Sequence, residues 1–325
     1  MSAVFDRISI IGIGLIGASI ALAVRESGAA KEVVLFDVSP AVRQRAAEIG
    51  LGTVVDDVVS AANADAIFLC VPVGQMGPAT IALAPGLKPG AILTDTGSVK
   101  TQVRDALIAA APAHVHVIPG HPIAGTEHSG PDAGFASLFQ DRWQLLTPLS
   151  GKGADYDAAV ERLAEFWRRL GARVDQMDAE RHDLVLAITS HLPHLIAYNI
   201  VGTASDLEKV TESEVVKYSA SGFRDFTRIA ASDPTMWRDI FLANKDAVLE
   251  MLGRFTEDLA ALQRAIRWGD GDALFDFFTQ ARAVRRHVIE AGQDTPLPDF
   301  GRHAPETSPQ PPATGAPDAS GKSGI

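Results

Sequence analysis

A single cysteine, Cys70, among 325 residues excludes an internal disulfide framework and fits a reducing, cytoplasmic setting. Basic residues are also short, with 29 Lys+Arg against 40 Asp+Glu and a formal net charge of −11. That balance argues against a general nucleic-acid binder, which needs a basic face to release counterions. It leaves room for a local basic pocket that takes an anionic small molecule. Long uncharged runs are scarce as well. The run over residues 8–24 imitates a signal peptide, but Gly12, Gly14 and Gly17 interrupt it and Asp6 sits in its lead. It reads as a buried strand followed by a helix, so no membrane association is expected.

What is present is ordinary globular material, 46% hydrophobic and 21% charged, enough for a sizeable core and for two domains. Strand-like runs at 4–11, 32–37, 65–71, 91–95 and 115–119 alternate with helical segments, the first of which stops at Gly28. Ser39-Pro40 has the form of a capped helix start. This alternation predicts an α/β domain, a doubly wound parallel sheet of Rossmann type, over residues 1–176. From 177 to 292 the periodicity is helical, with one long amphipathic helix over 235–267 and another near 272–290, an all-α domain suited to homodimerisation. Residues 293–325 read as a disordered tail, since seven of the last 32 residues are proline and almost none is apolar.

Gly12-Ile13-Gly14-Leu15-Ile16-Gly17 is a G-x-G-x-x-G turn between a strand and a helix, and Asp37 follows twenty residues later at the end of the next strand. In that context the spacing is the dinucleotide fingerprint: glycines admit a pyrophosphate and the helix N-terminus attracts it. Asp37 would accept from a ribose 2′-OH and repel a 2′-phosphate, so NAD is expected, with Arg43 nearby as the reservation. Val71 and Pro72, ending the third strand, join the cofactor-binding set. A tight turn that binds nothing is the alternative.

Four further blocks carry chemistry. Ser98, in Thr94-Asp95-Thr96-Gly97-Ser98-Val99-Lys100, lies past a strand end and either meets ligand or caps the helix starting near Val99. His121, in Gly120-His121-Pro122, is suited to general-base work in a strand-end loop, or is a satisfied loop residue. With His114, His116 and His128 it raises a metal site, but no ligand spacing supports one and no metal is expected. Ser190 and His194 share a helix face, and Pro193 between them predicts a kink. Arg228, among apolar neighbours, suits a planar anion or a bridge to Asp225 or Glu250. Ser232 or Asp233 can cap the helix begun by Pro234.

The blocks GIGLIG, DTGSVK, GHPIAGTEHSG, TSHLPH and DFTRIAASDPTMWRDIF, in that order over about residues 5–290, resemble the prephenate/arogenate dehydrogenase family of tyrosine biosynthesis. The resemblance implies an N-terminal Rossmann-type domain, a helical dimerisation domain and an active site between them. The implied reaction oxidises a cyclohexadienyl acid at its ring carbinol with NAD and expels CO₂: prephenate gives 4-hydroxyphenylpyruvate, arogenate gives tyrosine. It also implies roles. His121 is the base and Ser98 orients the hydroxyl and nicotinamide; Arg228 holds a substrate carboxylate; Ser190 and His194 meet the substrate side chain. Thr126 and Glu127 complete the loop and Trp237 shapes the pocket. On this reading no chorismate mutase domain is fused in front, and the tail is too short and polar for an ACT domain. Rival readings are a β-hydroxyacid dehydrogenase, which would need a catalytic lysine in the second domain, and a non-catalytic NAD-binding protein, which would tolerate loss of His121.

Overall fold

The computed structural model describes residues 2–126, 128–211 and 217–290. The expected disordered tail at 293–325, and Glu127, lie outside the described residues. The described residues up to Arg264 form one compact unit and those from Ala265 onward a second.

In the first unit, β1 (Phe5–Ile11), β2 (Ala30–Phe36), β3 (Thr53–Val54), β4 (Ala66–Leu69), β5 (Ile92–Asp95) and β6 (His116–Val117) make a parallel sheet in the order β3-β2-β1-β4-β5-β6. That order reverses between β1 and β4, the switch point at which doubly wound sheets open a crevice. Alternate residues along each strand serve opposite faces, as a period of two requires. Phe68 of β4 packs with Ile8 and Ile10 on one side, whereas Ile67 and Leu69 pack with Ile11 on the other. The first face is covered by α1 (Leu15–Ser27) and α6 (Ala154–Arg169). There Phe166 lies 4.9 Å from Phe68, ring to ring, and Trp167 5.9 Å. The second face is covered by α3 (Val58–Ala62), α4 (Met76–Leu83) and α5 (Thr101–Ala110). Near the sheet's edge, α2 (Pro40–Glu48) starts under the Ser39 cap and Pro40, as expected. Gly28, at φ +64°, ends α1.

A second, three-stranded sheet was not anticipated. In it β7 (Gly120–Pro122) pairs antiparallel with β8 (Trp143–Leu146), which pairs parallel with β9 (Arg173–Gln176). Among the described residues after β9 the regular elements are helical and include α7 (Ala179–Leu186), a π-turn (Ala187–His191), α8 (Leu192–Thr211), α9 (Ser221–Thr227), α10 (Pro234–Ala243) and α11 (Lys245–Trp268). The expected kink at Pro193 takes the form of the π-turn before it: proline lacks the N–H that would close a normal turn. The single helix expected over 235–267 is two helices, broken at Asn244. The run Ala179–Leu207 is long and apolar enough to cross a membrane by length and composition, yet its His182, Asp183 and His191 are buried in polar contacts. The second unit contains α12 (Gly271–Glu290), which exposes Phe275, Phe278 and Val284.

Candidate active site

The glycine loop is built for close approach. Gly12 sits at φ +95°, and a Cβ there would meet the Cys70 carbonyl oxygen at 2.7 Å. A Cβ on Gly17 would meet the Gly12 carbonyl oxygen at 2.1 Å, so α1 can start only if residue 17 has no side chain. Gly14 is different: nothing lies within 4 Å of where its Cβ would be, and it is the N-cap of α1 with no side chain capping it. Open space over free N–H groups at a helix N-terminus fits a pyrophosphate. Leu15 and Ile16 follow in the first turn. Asp37 stands beside the loop, where its carboxylate accepts from the Ile13 N–H at 2.9 Å and the Ser39 N–H at 2.9 Å. Arg43 lies 5.7 Å from the Phe36 ring, pairs with Asp56 at 3.1 Å and donates to the Asp37 carbonyl at 2.7 Å.

The neighbouring strand ends extend this crevice. Cys70 and Val71 follow β4 against Gly12, with Pro72 next in the chain, and the Thr96 N–H donates to the Leu69 carbonyl at 3.1 Å. Ser98 then stands half-buried between β5 and α5. The alternative in which it caps that helix does not hold. The helix starts at Thr101, and the carboxylate of Asp183 from α7 accepts from the Lys100 N–H at 2.7 Å and the Thr101 N–H at 2.9 Å.

His121 was expected in a loop and lies instead inside β7, opposite Leu145. Its position is set from below. Asp95 accepts from the Gly120 N–H at 3.2 Å and from the Gly97 N–H at 2.8 Å. Lys100, fully buried, is paired with Asp95 and donates to the Gly120 carbonyl at 2.6 Å. On the helical side, His121 Nδ1 lies 2.9 Å from His182 Nε2, and His182 Nδ1 lies 2.9 Å from Asp183 Oδ1. Burial pushes His121 well below the ordinary imidazole value, with nearby His182, Lys100 and His191 acting the same way. At neutral pH it is an uncharged imidazole, able to accept a proton. Burial would raise the Asp183 carboxyl, but His182 and the Lys100 and Thr101 N–H groups outweigh it and hold Asp183 below the carboxylate range.

The second-region residues gather nearby. Trp237 from α10 is buried, packs in one cluster with Val99 and Ile240, and stacks on His194 at 3.6 Å between ring centres. His194 Nδ1 lies 2.9 Å from the Ser190 carbonyl, so that pair is joined through the backbone. Burial lowers the His194 imidazole and the positive Arg228 beside it adds to this. Asp233 caps α10, accepting from the Met236 N–H at 2.7 Å. Thr126 is half-buried, with Oγ1 accepting from the His128 N–H at 3.3 Å in its own loop. The other histidines of that stretch go elsewhere: His114 contacts the Leu87 carbonyl at 3.0 Å, and His116 packs on Tyr156 at 5.8 Å.

The reading from sequence passed over Lys100, His182, Asp183 and Asn244. Asn244, at the helix break, donates to the Asp183 carbonyl at 2.8 Å and lies 3.1 Å from His191 Nδ1. A His-Asp pair at positions 182 and 183, with apolar Ala179 and Leu186 on the same face, was the available signal.

Residues 20–176 match the family described as prephenate dehydrogenase, nucleotide-binding domain, and residues 178–280 match prephenate dehydrogenase, dimerization domain. A cyclohexadienyl dehydrogenase of Zymomonas mobilis is 46% identical over 284 residues, covering 87% of this chain and 96% of its own length. A prephenate dehydrogenase of Bacillus subtilis is 34% identical over 291 residues, covering 88% of this chain and 76% of its own. Among solved structures, prephenate dehydrogenase from A. aeolicus, in complex with hydroxyphenyl propionate and NAD⁺, superposes with a TM-score of 0.81 at 30% identity, covering 87% of this chain and 98% of that one.

Proposed function

The chain belongs to the prephenate dehydrogenase family, and from that premise we propose that it converts prephenate to 4-hydroxyphenylpyruvate and CO₂ with NAD as oxidant. The observation that carries this reading is His121: a buried imidazole, held well below its ordinary value by burial, on β7, whose Gly120 N–H donates to Asp95 at the carboxyl end of β5. Bound there, NAD supplies the hydride acceptor.

The chain's own residues supply the rest. Gly12, Gly14, Leu15, Ile16 and Gly17 hold the pyrophosphate, Asp37 takes the ribose hydroxyls, and Val71 and Pro72 border the cofactor. Loss of hydride from the ring carbinol builds positive charge at that carbon. His121 relieves it by accepting the hydroxyl proton, and Ser98 orients the same hydroxyl. Arg228 holds a substrate carboxylate, while His194, Ser190, Trp237 and Thr126 enclose the remainder. Loss of the ring carboxylate needs little assistance because it makes the ring aromatic.

The same reading divides the chain at 176/177 into a cofactor domain and a substrate and dimerisation domain, and places the protein in the cytoplasm. Two family matches that meet at that point support the division. The homodimer forms through the helical region, where Leu184, Ile188, Ile200 and Leu207 are exposed along α7 to α8. A second reading, use of arogenate as well, is favoured by the 46% identity to a cyclohexadienyl dehydrogenase. Purified protein given prephenate or arogenate with NAD or NADP decides both, followed by absorbance of the reduced nucleotide. Reduction with neither acid overturns the proposal, and reduction with arogenate alone replaces the substrate.

A further inference from the structure

His121 reaches the helical region through two further groups. Asp183 Oδ1 accepts from the Lys100 N–H, and Asp183 is an ionised carboxylate with acceptor capacity only. The nitrogen facing it at 2.9 Å, His182 Nδ1, must therefore carry the proton. A neutral imidazole protonated on Nδ1 has a bare lone pair on Nε2. That lone pair lies 2.9 Å from His121 Nδ1, so the proton between the two rings belongs to His121. It follows that His121 Nε2 is the bare nitrogen.

We infer that His182 and Asp183 are positioning residues for the reaction: they fix His121 in the tautomer whose Nε2 accepts the substrate hydroxyl proton. The inference rests on His121 being the base. Asp183 is well suited to this task because it is itself clamped: its two oxygens accept from the Lys100 and Thr101 N–H groups and its carbonyl accepts from Asn244. The tautomer is thus tied to the α5 N-terminus and to the break between α10 and α11.

The proton balance is closed. As the carbinol C–H pair leaves as hydride, the O–H proton moves to His121 Nε2 and the ring carbinol becomes a ketone. The imidazolium charge is shared over the Nδ1–H toward His182, whose own Nδ1–H faces the Asp183 carboxylate. The C–C bond to the ring carboxylate then breaks, its electron pair enters the ring, and the resulting phenolate oxygen takes the proton back. No proton is gained or lost by the protein over the cycle.

The test uses two substitutions and the unaltered protein. His182→Leu removes the acceptor, and kcat should fall about 10²-fold with the prephenate KM within about twofold, the pattern of a lost proton-transfer partner. His182→Gln, whose side-chain oxygen can accept where Nε2 stood, should recover most of that loss. Imidazole ¹⁵N shifts of the full-length wild-type protein at neutral pH should show His121 protonated on Nδ1 and bare on Nε2. The inference is overturned if that spectrum places the proton on Nε2, if His182→Leu keeps wild-type kcat, or if the Gln variant is as impaired as the Leu variant. Failure of the underlying reading looks different: His121→Asn would then itself turn over normally.

Discussion

Lys100 and Asp95 form an ion pair from which solvent is wholly excluded, directly beneath the strand that carries His121. Burial alone pulls the Lys100 ammonium below its ordinary value, and Asp95 opposes that. Such a pair adds little net stability over an apolar pair, but removing one partner strands a buried charge. Lys100→Met should therefore cost about 3–5 kcal/mol in unfolding free energy. Adding Asp95→Asn should restore part of it, because the remaining amide can still accept from Gly120. Chemical denaturation of the single and double variants measures this, and a Lys100→Met protein as stable as wild type would refute the account.

Asp37 differs, because its carboxylate is already engaged by the Ile13 and Ser39 N–H groups. Asp37→Ala should weaken NAD binding strongly while leaving the prephenate KM at saturating NAD nearly unchanged. Fluorescence titration with NAD and steady-state kinetics separate the two effects. Equal loss of both would contradict the ribose assignment.

These two positions also show what the sequence could reveal. The glycine loop and Asp37 were legible because backbone geometry demands particular residue types at fixed spacing. The parallel sheet was legible because its strands are nearly continuous apolar runs. β7 was hidden: it has three residues, two of them glycine and proline, and its partner lies at 143–146. The break at Asn244 was hidden because the apolar periodicity continues past it, and only a tertiary hydrogen bond to Asp183 distinguishes the position. Asp183 itself reads as one polar residue on an amphipathic helix. Its role exists only once the α5 N-terminus is placed against it.

His121→Asn keeps a polar side chain in β7 but removes the basic nitrogen. Turnover should fall by about 10²–10⁴-fold, the span for lost general-base catalysis, while NAD and prephenate still bind. Stopped-flow measurement of a single turnover reads the chemical step without product release. A near-wild-type rate there would show that another group takes the proton.

Arg228 stands half-buried beside His194, which itself stacks on Trp237. Charge-assisted hydrogen bonds from a guanidinium to a carboxylate are worth roughly 1.5–3 kcal/mol, so Arg228→Ala should raise the prephenate KM by roughly 10- to 150-fold. Arg228→Lys should recover only part of this, because an ammonium lacks the planar fork. An unchanged KM in the alanine variant would reassign Arg228 to a structural bridge.

The buried histidines should contribute to acid sensitivity of the fold. His191 has no solvent exposure, and burial holds its imidazole down to about 4 against an ordinary value of 6.5; His182 is lowered too, burial outweighing Asp183. For a base whose folded-state pKa is depressed, the unfolded chain binds more protons, so stability falls as the medium is acidified. The contribution is fully present above 6.5 and is lost progressively as the pH drops from 6.5 toward about 4. The slope should be about 1.4 kcal/mol per pH unit for each such histidine. Unfolding midpoints followed across this window should decline steadily, and His191→Gln, though less stable at neutral pH, should decline less steeply. If wild type and His191→Gln trace parallel curves, His191 is not the group that loses its neutral form on folding's acid side.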